Sequence, residues 1–144
     1  MRHKHHINAC YLCLANNESL DHLFFQCEYS KEIWSFIQHT IGLYIQPSSW
    51  SDLILWCSAH WSSKGFLVHK LLLSAAVYFL WLERNNRAFR NASSFPSTII
   101  GQIMKCIRGR LASIKLRKAS DLRNINRLED LQQLFMDGCI YANA

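Results

Sequence analysis

Residues Cys10 to Cys27 read CYLCLANNESLDHLFFQC, which places Cys10, Cys13, His22 and Cys27 within eighteen residues. A Cys-x-x-Cys pair lets two thiolates reach one ion from a tight turn, and a second pair on the next element completes a tetrahedron. Four protein ligands leave no position for water, so the pattern points to one structural zinc ion and not to a catalytic one. His22 and Cys27 are five apart, whereas an uninterrupted α-helix brings positions three and four apart onto one face. The turn that starts at His22 must therefore end or bend by Cys27. Three thiolates and an imidazole around Zn²⁺ carry one net negative charge, which predicts nearby backbone N–H groups that offset it. On this reading zinc supplies much of the folding energy of residues 8–35. The competing account is a set of buried cysteines with a hydrogen-bonded His22; the pair, the His and the third Cys taken together favour metal.

The rest of the chain has the composition of a folded core. Half of its 144 residues are hydrophobic, with five Trp and eight Phe against five Gly and two Pro. The start, Met-Arg-His-Lys-His-His, is not followed by an apolar run and a small-residue cleavage site, so an intracellular setting, nuclear or cytoplasmic, is expected. In a reducing compartment closely spaced cysteines hold metal more often than they pair. Cys57, Cys106 and Cys139 stand singly in apolar or helical contexts and read as ordinary buried residues, and His3, His5 and His6 as a frayed polar terminus. Two Asn-x-Ser sequons, at Asn17 and Asn91, read as chance without a leader. The longest apolar run, Leu71 to Leu82, lies between Lys70 and Glu83 and is shorter than the roughly 20 residues that span a bilayer. It predicts a core helix and no membrane partner.

Periodicity predicts a mainly α fold: a zinc-stapled knuckle followed by a bundle of about four or five helices. Ser19 or Asp21 is positioned to cap a short helix at His22. Ile33, Trp34, Ile37 and Ile41 form one face of a helix from Ser30 to about Tyr44, with Gly42 as terminator. Ser51 is a candidate cap for a short helix from Asp52 to about Cys57. Phe66 to Phe89 is the longest helix, ended by Asn91-Ala-Ser-Ser-Phe-Pro96. Ser97 to about Arg117 carries a stripe of Ile100, Ile103, Ile107, Leu111 and Ile114, and Leu122 to Phe135 is a last candidate. The organisation is a zinc element with its first helix (1–45) and a helical body (46–144), expected to form one continuous domain.

The Cys10-Tyr-Leu-Cys13 pair, Glu18-Ser-Leu-Asp-His22-Leu-Phe-Phe-Gln-Cys27 and Ile33-Trp34 resemble the zinc-binding domain of LINE-type (non-LTR) reverse transcriptases, familiar as stand-alone plant proteins. Trp81-Leu-Glu-Arg84-Asn85-Asn-Arg87-Ala-Phe89 is similar to a segment that often follows in plant members. The resemblance covers about residues 8 to 115. It implies zinc at the four matched positions and contact with element RNA or target DNA, without polymerase activity. Family members usually carry a helical segment before the first cysteine; with nine residues there, this chain reads as a truncated copy.

Charge narrows the partner. Residues 1–83 hold five Lys/Arg and six Asp/Glu, whereas residues 84–127 hold eleven Lys/Arg and one acid, Asp121. Candidate nucleic-acid contacts are Arg84, Arg87, Lys105, Arg108, Arg110, Lys115 and Arg117. On a helical wheel Lys105 and Arg108 flank the apolar stripe on one side and Arg110 and Arg117 on the other, so these charges surround a seam and build no single ridge. A scaffold whose basic residues merely solvate helices is the alternative. Trp81 and Phe89, eight apart, are expected to pack, and Glu83 and Arg87 to form a modest surface pair. No Cys-His pair outside the ligand set has a third partner and no glycine-rich phosphate loop occurs, so neither catalysis nor a small-molecule substrate is expected.

Overall fold

The computed structural model describes residues 8–41, 47–62 and 66–115. The candidate helix Leu122 to Phe135, together with Gly42, Arg117, Cys139, His3, His5 and His6, lies outside these residues, as does the 45/46 boundary. Helix α1, Glu28–Ile41, buries Ile33, Trp34 and Ile37 on the expected face. It starts two residues earlier than its periodicity indicated, because the Cys27 carbonyl already accepts the Lys31 N–H at 2.9 Å.

Helix α2, Trp50–His60, is capped by Ser49, whose hydroxyl accepts the Asp52 N–H at 3.2 Å. Asp52 reaches back to the Ser48 hydroxyl at 2.7 Å and to its N–H, a reciprocal arrangement that moves the start ahead of the expected Ser51. Of α2 only Leu53 is buried, and Ile54 and Leu55 face outward.

Helix α3, Phe66–Phe89, is the spine: Leu71, Leu72, Leu73, Ala75, Ala76, Phe79 and Leu80 are buried in one continuous core with α1 and α4. By length and composition it could cross a bilayer, but half of its most apolar window is buried inside the fold. It ends at Asn91, which adopts a left-handed φ of 50°, while the Ala92 N–H returns to the Asn86 carbonyl at 3.2 Å. The left-handed residue turns the chain out of the helix, and Asn tolerates that region better than other non-glycine residues do. Pro96 therefore does not end α3; it opens α4, Pro96–Lys115, at the position where its missing N–H is harmless.

The buried stripe of α4 is Ile99, Ile103, Cys106 and Ile107. Ile100 and Leu111 are half-buried, and the side chain of Ile114 is not described. The stripe is rotated toward Ile99 and Cys106 because α4 packs on both α1 and α3, which calls for a broader apolar face. Among the described residues there are four α-helices, one π-helical turn and no strand beyond an isolated bridge between Ala9 and Asn17.

Glu83 corrects the surface-pair expectation. Its side chain is 1% exposed, and its Oε1 accepts Arg87 Nε at 2.7 Å and the Ser94 N–H at 2.7 Å. It joins α3 to the segment leading into α4. Trp81 and Phe89 are not packed into the core either; they are 44% and 77% exposed.

Removing the Glu83 carboxylate leaves a mostly buried guanidinium and a backbone N–H without their acceptor. Glu83→Ala is expected to lower unfolding stability by about 3 kcal/mol, and Glu83→Gln by less. Urea unfolding followed by circular dichroism measures both.

Candidate metal centre

The four predicted ligands meet at one point. Their ligating atoms all lie within 4.8 Å of one another, with Cys10 Sγ 4.0 Å from Cys27 Sγ and Cys13 Sγ 3.4 Å from His22 Nε2. Zinc–sulfur and zinc–nitrogen bonds of ordinary length give tetrahedral edges of roughly 3.5–3.8 Å, so the donor set fits one zinc ion. The cysteines are free thiols. Cys10 and Cys27 are fully buried, His22 nearly so and Cys13 partly.

Two local structures produce this convergence. Asn8 to Glu18 forms a hairpin-like knuckle: the Cys10 N–H donates to the Asn16 carbonyl at 2.8 Å, and the Leu14 N–H returns to the Cys10 carbonyl at 2.8 Å. Leu14 adopts a left-handed φ of 56° to close the turn that carries both cysteines. The second half is a π-helical turn, His22–Gln26, in which the Cys27 N–H donates to the His22 carbonyl at 2.7 Å before Cys27 turns extended. An i to i+5 hydrogen bond widens the turn by one residue, which resolves the five-residue spacing. Ser19 is the cap: its hydroxyl accepts the His22 N–H at 3.1 Å. Asp21 instead accepts the Trp50 N–H at 2.9 Å and ties the turn to α2.

The expected N–H groups are in place. Cys10 shares a hydrogen bond with Cys27, which together with the backbone N–H groups of Cys13 and Leu12 holds its thiol down to about 5 against the opposing effect of burial. Cys27 is pushed above the usual thiol range by the same sharing and by burial, opposed by the N–H groups of Tyr29 and Ser30. Zinc would be held by Cys10, Cys13, His22 and Cys27, and it supplies a charge that lets all three sulfurs ionise together.

The knuckle is docked on α3 by residues that the sequence offered for another role. Arg84 donates from Nε and Nη2 to Glu18 Oε1 at 3.1 and 2.8 Å, and its guanidinium lies over the Tyr11 ring at 4.8 Å. Arg87 donates to the Leu12 carbonyl at 2.9 Å and the Ser94 carbonyl at 3.0 Å, and lies over the Tyr29 ring at 4.7 Å. Lys105 and Arg108 are exposed on α4. Arg110 is half-buried, and among the described residues its Nε and Nη2 have no hydrogen-bond partner. The Lys115 side chain is not described. The basic candidates thus divide into two docking struts and a separate group on α4. Glu18 and Tyr11 were missed as docking residues; the polar turn ahead of His22 signalled a loop, not the distant arginine it would meet.

A four-ligand zinc knuckle docked on a helical bundle is the class that fold and site define. Residues 1–34 match the family described as zinc-binding in reverse transcriptase, so this segment carries a reverse transcriptase zinc-binding element. The match reaches an accessory element and no catalytic domain. No curated protein and no solved structure matches the chain.

Cys13→Ala is expected to abolish stoichiometric zinc in the purified protein, read by elemental analysis, with loss of ordered structure in residues 8–35. Acid should act in the same direction. Metal entry displaces the proton that Cys27 retains, so zinc affinity falls as pH drops from about 7.5 to 5.5, measured by competition with a chromophoric chelator.

Proposed function

We propose that the chain is a non-catalytic, structural-zinc module of LINE-type retrotransposon origin that contacts RNA or DNA through its basic helical segment, inside the cell. The observation that carries this reading is the charge of residues 84–115. Seven Lys/Arg and no Asp/Glu occur there, from the end of α3, where Arg84 and Arg87 reach the knuckle, through α4. Lys105 and Arg108, exposed on α4, and the neighbouring Arg110 are the phosphate-contacting groups of this proposal. Zinc fixes the surface and performs no chemistry.

One observation favours a second reading, a protein-interaction or relic scaffold: Arg84 and Arg87 direct their hydrogen bonds to the knuckle itself. Salt separates the two. Under the first reading, affinity for single-stranded RNA or DNA falls steeply with ionic strength, and changing Lys105 and Arg108 to Gln flattens the slope by about one for each phosphate that is no longer neutralised. Fluorescence anisotropy across a salt series measures this, and a slope that the double variant leaves unchanged counts for the scaffold.

A further inference from the structure

Three of the exposed aromatic side chains gather around one guanidinium. Arg84 lies over the rings of Tyr11, Trp81 and Phe89, at 4.8, 5.5 and 6.0 Å from their centroids. Those rings are 40%, 44% and 77% exposed. The cluster is held rigid from below: Glu18 takes two of the guanidinium donors, Asn85 takes a third, and Phe24 stacks on Trp81 at 6.3 Å with planes 23° apart. Three large rings kept at a surface, and fixed there by an ion pair, contribute little to the core. They form a prearranged stacking platform.

We propose that Tyr11, Trp81 and Phe89 around Arg84 form a platform that stacks unpaired bases of a single-stranded nucleic acid. This rests on the nucleic-acid reading above and gives it a location separate from Lys105, Arg108 and Arg110. Aromatic faces and guanidinium planes take up bases splayed out of a strand, whereas bases inside a duplex present only their edges. Charge favours a polyanionic strand over an acid-balanced peptide. Glu18 already offsets the Arg84 charge, so the attraction comes from the exposed Arg90 directly after Phe89, in a stretch from Arg84 to Lys115 that holds no carboxylate. The zinc site also sets the platform. Tyr11 lies inside the Cys10–Cys13 turn, and Phe24, which holds Trp81, lies in the π-helical turn between His22 and Cys27.

Phe89 is the position to test, because so exposed a ring can be changed without opening the core. The zinc-loaded full chain is titrated with a short labelled oligouridine and with a blunt RNA duplex of equal length, at several salt concentrations. Phe89→Ala and Phe89→Leu are each expected to weaken oligouridine binding by about 5- to 100-fold without altering the salt slope, while Phe89→Trp retains it. Leu is decisive because it keeps an apolar side chain and removes the π face. If Phe89→Leu binds as tightly as the parent, or the duplex binds as well as the single strand, the platform is overturned. Binding that is lost only in the Lys105/Arg108 variant overturns the platform and leaves the nucleic-acid reading standing. Absence of binding to either probe at low salt overturns both.

Discussion

The structure depends on the closure of two short, unlike turns around one point. Neither the Cys10–Cys13 knuckle nor the π-helical turn is a regular element with enough hydrogen bonds to persist alone. Each supplies two donors, and the Cys27 N–H bond to the His22 carbonyl sets the second pair at the spacing that a tetrahedron needs. Backbone N–H groups of Leu12 and Cys13 favour an ionised sulfur at Cys10, and those of Tyr29 and Ser30 oppose the upward push on Cys27. Cysteines serving only as small hydrophobes would not need them.

From that point order passes outward by specific interactions. Cys10, Cys27, Leu12, Leu23, Phe24 and Phe25 belong to the same core as α1, α3 and α4. Trp34 of α1 donates its indole N–H to the Phe24 carbonyl, and the Ser30 hydroxyl donates to the Leu23 carbonyl, so the π-helical turn is bonded to the helix that follows it. The Glu18–Arg84 ion pair and the Arg87 hydrogen bond to the Leu12 carbonyl then attach the knuckle to the far end of the spine helix, where Glu83 holds Arg87 in place. Buried ion pairs of this kind add little net stability over apolar packing, but they are costly to break singly, and they fix one docking geometry. That suits a surface which has to be presented in a defined way.

Much of this is legible in the sequence. The four ligands can be read because metal chemistry restricts residue type and spacing together. The span of α3 is readable because no Gly or Pro occurs between Phe66 and Phe89 and apolar residues recur through it, until Asn91 and the polar residues after it. The helix starts are less legible: Ser49 and Ser51 are equally good caps locally, and Asp52 decides between them through its reach to Ser48. The stripe on α4 was misplaced by a fraction of a turn because its partners, α1 and α3, leave no mark in its own sequence. Arg84 and Arg87 read as surface cations for the same reason. Their acceptors, Glu18, Leu12 and Ser94, come from other parts of the chain, and no local pattern announces such a pairing.

All of this rests on what surrounds the metal. X-ray absorption at the zinc edge of the purified protein reads the coordination shell without a crystal. Three sulfurs at about 2.3 Å and one nitrogen at about 2.0 Å, with no oxygen ligand, are predicted. A shell containing water or carboxylate oxygen, a different sulfur count, or folded protein without zinc would contradict a closed structural site at Cys10, Cys13, His22 and Cys27.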